Sequence, residues 1–141
     1  MILISGCLVG MDCRYDGGNE RSDRLLESLR GGFFLPLCPE QLGGLPTPRP
    51  KAEILGGDGH DVLAKKARVL DEEGQDVTAP FIKGATETLK LVRLLGIKEA
   101  YLKGKSPSCG FGGILRGGNL VKGDGVCAAL LSQNHLNITC V

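Results

Sequence analysis

Short apolar runs separated by helix-length segments recur along this chain, and that alternation narrows the fold more than any other feature. The runs are Met1–Ser5, Phe33–Leu37 and Ala100–Leu102, and Asn137–Cys140 reads as a final strand. Between the first two, Ser22 caps a helix predicted from about Asp23 to Arg30, and Gly31-Gly32 stops it. The clearest helix spans Thr78 to Leu95: Phe81, Ile82, Ala85, Leu89, Val92 and Leu95 fall on one helical stripe, and Gly96 follows as the stop. A last helix is expected from about Asp124 to Gln133, and Arg68–Leu70 reads as a short strand ahead of a turn. The stretch Gln41–Asp61 is dense in proline and glycine and reads as one long loop, which in a compact domain is usually functional. Strand–helix alternation predicts an α/β, Rossmann-like, mainly parallel sheet flanked by helices, with long Gly/Pro-rich loops. At 141 residues the whole chain, 1–141, reads as a single domain.

Three of the predicted strands end near a cysteine: Cys7 after the first, Cys38 after the second and Cys109 beyond the third. In open α/β sheets, ligands bind in the crevice outside the carboxyl ends of the strands. Three thiols directed at one crevice suggest a metal or cluster site. The bland reading is three small buried residues, since free cysteine is among the most buried types. No segment carries a leader-like pattern or an apolar stretch long enough to span a bilayer, so the chain reads as cytoplasmic. In a reducing compartment, grouped cysteines more often mean metal or catalysis than disulfides. None of the six cysteines forms a C-x-x-C pair, which excludes a simple zinc ribbon or a thioredoxin-type motif. A net charge of +1 with no basic run argues against binding duplex nucleic acid or an anionic membrane. The Cys7 loop also fails as a phosphatase loop. Arg14 falls one residue late, behind Cys13, and Asp12 would oppose a bound phosphate. No phosphate-cradling or dinucleotide fingerprint is present.

The motifs taken together resemble the DUF523 family along essentially the whole chain. They are Ser5-Gly6-Cys7-Leu8-Val9-Gly10, Cys13-Arg14-Tyr15-Asp16-Gly17-Gly18, the run from Cys38-Pro39-Glu40 to Pro48-Arg49, Gly56-Gly57-Asp58-Gly59, Ser106-Pro107-Ser108-Cys109-Gly110 and Gly123-Asp124-Gly125-Val126. That family includes thiouracil desulfidases. The resemblance implies a [4Fe-4S] cluster with three Cys ligands, Cys7, Cys38 and Cys109, and one open iron. It implies non-redox desulfuration of a thiolated, thiouracil-like nucleobase with release of sulfide. Thiolates suit iron–sulfur centres, and an incomplete protein ligand set marks a catalytic rather than a structural metal. Family members often carry a Tyr-Asp-Gly stretch after the third cysteine motif; Phe111–Asn119 is shorter and lacks it, so the resemblance leaves the substrate defined only as a class.

Within that reading Glu40, two residues past Cys38, is the candidate general acid/base. Its bland alternative is that it caps a backbone amide or forms a salt bridge to Arg49. One of Ser106 and Ser108 is expected to donate a hydrogen bond at the site, against ordinary turn chemistry beside Pro107. Arg14 and Asp16 are expected at the pocket mouth, against an Asx turn with an exposed arginine. Cys13 is placed outside the cluster, Cys127 in the core and Cys140 at the end of a strand, while His60 and His135 read as loop and turn residues. The expected partner is a small-molecule thiolated base, with no membrane and no nucleic-acid duplex, and the chain is expected as a monomer or small homo-oligomer. The competing readings are a non-catalytic iron–sulfur or zinc carrier and a metal-free thiol enzyme.

Overall fold

The computed structural model describes residues 1–141. Four parallel strands make the central sheet in the order β2-β1-β5-β8, where β1 is Ile2–Ser5, β2 Phe34–Leu37, β5 Glu99–Leu102 and β8 Asn137–Cys140. Ile2 aligns with Phe34 on one side and with Glu99 on the other, and Glu99 aligns in turn with Asn137. Parallel strands need crossovers of a dozen residues or more, and the helices supply them.

Alternation along each strand sends neighbouring side chains to opposite faces. Leu3, Ala100 and Leu102 pack with the main core, whereas Ile4 and Tyr101 pack with Leu8, with Leu25 of helix α1 (Asp23–Ser28) and with Leu29 just beyond its end. The main core lies under helix α4 (Thr78–Leu95) and helix α5 (Val126–Gln133). Phe81, Ala85, Leu89 and Val92 are the buried stripe of α4. Burying a side chain the size of leucine or phenylalanine stabilises by about 1.5–3 kcal/mol, so this stripe, rather than helix propensity, fixes α4 to the sheet. Ser22 caps α1 by accepting the Leu25 amide at 3.2 Å, and Gly96 ends α4 in a left-handed conformation.

Two segments differ from the sequence expectation. The stretch Gln41–Asp61 is not one loop. It contains the end of helix α2 (Pro39–Leu42), strand β3 (Ala52–Leu55) and the start of helix α3 (Gly59–Leu63). Strand β3 pairs antiparallel with β4 (Arg68–Asp71), and Asp58 and Asp61 form a capping box on α3. The second difference is a hairpin, β6 (Gly113–Arg116) with β7 (Asn119–Lys122), turned by Gly117-Gly118. Both turn residues have positive φ, as a tight hairpin turn requires. Arg116 holds the hairpin down by donating to the Ile54 and Gly57 carbonyls, and the Gly117 amide donates to Glu53 at 2.9 Å. His60 lies inside α3, with one ring nitrogen 2.8 Å from Asp124 and the other 3.0 Å from Gln133.

Candidate functional site

A cleft of about 280 Å³ opens beyond the carboxyl ends of β1, β2 and β5, at the small end of the roughly 300–1,000 Å³ range of ligand pockets. Each of the three strands delivers one of the predicted thiols. Cys7 sits in the 3-10 turn Gly6–Val9 that continues β1, and Cys38 is the residue between β2 and α2. Cys109 lies in the loop after β5, which is locked to α5: the Val126 amide donates to the Pro107 carbonyl at 2.8 Å and the Cys127 amide to the Ser108 carbonyl at 2.9 Å. Those bonds satisfy helix N-terminal amides that otherwise lack partners. They also fix the loop that carries the third thiol.

A fourth thiol joins them. Cys13 lines the same cleft and packs with Cys7, and its backbone carbonyl lies 3.7 Å from Cys38 Sγ. Hydrogen bonding with Cys38 pulls the Cys13 thiol down, but hydrogen bonding with Cys7 and burial outweigh it and lift the thiol to about 11. Cys38 is raised by its hydrogen bond to Cys13 and then by burial. Cys109 is raised chiefly by burial, with Cys127 adding to it. These are neutral thiols in the metal-free protein, and a metal would have to displace their protons.

The donor set bears on which metal the cleft suits. A single tetrahedral zinc with Zn–S bonds of about 2.3 Å needs its sulfurs within about 4 Å of one another. No three of the thiols lie within 4.8 Å of one another; the one set of His, Cys, Asp and Glu groups that does is Asp58, His60 and Asp124, none of which lines this cleft. A cube of iron and sulfide spreads its ligands across separate corners. Soft donors delivered from three strands to one cleft have the chemistry that iron–sulfur clusters take as ligands.

Glu40 lies on α2 with its side chain 16% exposed toward the cleft, and its Oε1 accepts from Arg49 Nε at 3.1 Å. Burial raises its pKa, and the Arg49 charge opposes the rise. The ion pair offered as its bland alternative is therefore formed, yet it engages one oxygen and leaves Oε2 without a hydrogen-bond partner on a residue that lines the cleft. Ser106 lines the cleft, and its Oγ accepts the Ser108 and Cys109 amides, each at 3.1 Å. Its hydroxyl proton is left for another acceptor. Ser108 is buried beneath α5 and does not reach the cleft wall. Arg14 stands in the wall, paired with Glu20 and with Asp16. Asp16 is outside the wall, closing an Asx turn onto the Gly18 amide at 3.0 Å. Cys127 is fully buried and Cys140 is exposed at the end of β8.

Cleft residues to which sequence reasoning gave no role include Ser5, Tyr15, Glu20, Lys51, Lys103, Lys105 and Leu115. Ser5 was legible as the last residue of a strand that opens onto the crevice. Leu115 reaches the cleft on the unforeseen hairpin β6–β7.

The chain matches the family model described as 2-thiouracil desulfurase over residues 2–140. It is 43% identical over 136 residues to the "Uncharacterized protein YbbK" of Bacillus subtilis (strain 168), covering 94% of this chain and 90% of that protein. Its structure matches that of a protein titled "[4Fe-4S]-dependent thiouracil desulfidase TudS" with a TM-score of 0.85 at 40% identity, covering 99% of this chain and 89% of the other. No helix is long and apolar enough to cross a membrane.

Proposed function

Because the chain belongs to the 2-thiouracil desulfurase family, we propose that it is a desulfidase that replaces the sulfur of a thiolated pyrimidine with oxygen. The observation that carries this is the meeting of Cys7, Cys38, Cys109 and Glu40 in one small cleft at the carboxyl ends of three strands. Cys7, Cys38 and Cys109 would hold a [4Fe-4S] cluster, which supplies a soft Lewis-acidic iron without a protein ligand for the thiocarbonyl sulfur.

The chain's own groups supply the proton chemistry. Glu40 Oε2 takes a proton from a water that adds to the carbon bearing sulfur. Collapse of that carbon to a carbonyl breaks the C–S bond: the proton held by Glu40 passes to the departing sulfur, which leaves as hydrosulfide, and the proton of the new hydroxyl returns to Glu40 and then to solvent. The balance is thiocarbonyl plus water to carbonyl plus hydrosulfide plus a proton, with no change in electron count. Burial favours the protonated form of Glu40 and Arg49 favours the charged form, so the residue is suited to both halves of this exchange. Ser106 has its oxygen fixed by two amides and its proton free, so it donates to the substrate ring. Arg14, Lys51, Lys103 and Lys105 around the cleft outnumber its carboxylates and favour the anionic sulfur that the reaction expels.

The test is anaerobic purification, assay of iron and acid-labile sulfide, then incubation with 2-thiouracil and 4-thiouracil while sulfide and the oxygenated base are measured. Equimolar sulfide and oxygenated base are expected. Protein that holds the cluster but turns over neither compound nor any other thiolated pyrimidine would instead be a carrier.

A further inference from the structure

We propose that Arg49 is a positioning residue that couples the acid–base carboxylate to a cluster-ligating sulfur; the proposal rests on the desulfidase reading above. The side chain of Arg49 is only 4% exposed. Arginine is rarely buried so completely unless its donors are used, and here all three nitrogens are. Nε donates to Glu40 Oε1 at 3.1 Å. Nη1 donates to the Pro46 carbonyl at 3.1 Å and to Thr47 Oγ1 at 3.0 Å. Nη2 donates to the Cys13 carbonyl at 2.8 Å and to Cys38 Sγ at 3.8 Å.

A simple ion pair with Glu40 accounts for Nε alone. The remaining donors bind the Cys13 loop, the Cys38 sulfur and the Pro46–Thr47 turn to the same planar group. Guanidinium has five N–H donors in a fixed fork, and five contacts are made. Lysine keeps the charge but cannot span this set.

Two consequences follow from the geometry. Holding Oε1 fixes the orientation of a carboxylate that lines the cleft and leaves Oε2 free of the ion pair. Donation to Cys38 Sγ withdraws charge from a ligating sulfur, and hydrogen bonds to sulfur are among the determinants of an iron–sulfur centre's reduction potential. An N–H donor favours the more negative, reduced centre, so it raises the potential.

The experiment compares anaerobically reconstituted wild-type protein with Arg49→Lys. It measures iron per chain, midpoint potential by mediated titration, and kcat and KM separately. The lysine variant is expected to keep its iron, to show a lower potential, and to lose on the order of 10- to 100-fold in kcat with KM little changed. A merely structural arginine would leave the potential where it was, and that result overturns the proposal. Should the variant fail to fold, wild-type protein carrying 15N-labelled arginine decides: pulsed EPR of the reduced centre is expected to show a nitrogen coupling, and its absence overturns the proposal. Wild-type protein that takes up no iron overturns the desulfidase reading and this inference together; iron-bearing wild type without the potential difference overturns this inference alone.

Discussion

Alanine at Gly84 tests whether the site depends on how closely two helices approach. Helices α2 and α4 meet backbone to backbone through Gly43 and Gly84. A Cβ on Gly84 would stand 2.7 Å from the Pro39 carbonyl carbon and 3.3 Å from the Gly43 amide nitrogen, and closer still to the Pro39 oxygen. Carbon–carbon contact begins near 3.5 Å, so α2 must retreat by at least about 0.8 Å. Overpacking of this kind costs about 1–3 kcal/mol, and no rotamer change can relieve a clash between backbones, which favours the upper value of about 3. Alanine in a helix interior returns about 1 kcal/mol relative to glycine. The net loss of about 2 kcal/mol lowers Tm by about 6 °C, at roughly 3 °C per kcal/mol for a chain of this length. The same retreat carries Pro39 and Glu40 with it, and a misplacement of about 1 Å at a reacting group can cost on the order of 100-fold in rate. Thermal unfolding followed by circular dichroism, with turnover of the reconstituted protein, measures both effects. A Tm at or above that of wild type, with unchanged turnover, would refute the reasoning.

Serine at Cys7, Cys38 or Cys109 is expected to abolish retention of iron and labile sulfide, whereas Cys13→Ser retains them; iron analysis after anaerobic gel filtration separates the two outcomes. Glu40→Gln is expected to keep the cluster's visible spectrum while turnover falls by about 100- to 10,000-fold, the usual contribution of general acid–base catalysis; unchanged turnover removes Glu40 from the mechanism. Uptake of iron by the metal-free protein should strengthen with rising pH. Cys38, through Cys13 and burial, and Cys109, through burial, hold their protons more tightly than ordinary thiols, and a metal binds the thiolate. Proton competition therefore weakens as pH rises, and uptake that stays flat or falls between mildly acidic and mildly alkaline pH would contradict this.

The parts of the fold that the sequence reveals are those set by local pattern. Helix Thr78–Leu95 is readable because its stripe and its terminal glycine agree, and strand Asn137–Cys140 because a short alternating segment with Ile138 and Thr139 follows a helix. Strand β3 is hidden in a stretch rich in proline and glycine because its partner β4, not its own composition, makes it a strand. The cap on α3 was legible in principle, with Asp58 and Asp61 three residues apart, as was the hairpin, with Gly117-Gly118 between two short runs. In the site, cysteines at strand ends point to the cleft because a parallel sheet aims all its strands one way. The choice between Ser106 and Ser108 was beyond pattern, since it depends on α5 docking over one of them. The contact of Arg49 with sulfur was equally hidden, because it requires the loop from Pro46 to fold back over Cys38.

The register of the sheet also bears on how the protein matures. Ile2 lies beside Glu99, and Glu99 beside Asn137, so the centre of the sheet joins segments from opposite ends of the chain. Pairings so distant in sequence close slowly, because loop entropy is lost before the contact forms. Until β5 inserts between β1 and β8, Cys109 is not beside Cys7 and Cys38, and the chain has thiols but no binding site. A cofactor that binds the native chain alone pulls the folding equilibrium toward it by mass action. A cluster held as proposed would therefore sit only on chains whose sheet has closed, and iron limitation during synthesis should lower the yield of folded protein before it lowers the activity of each folded molecule.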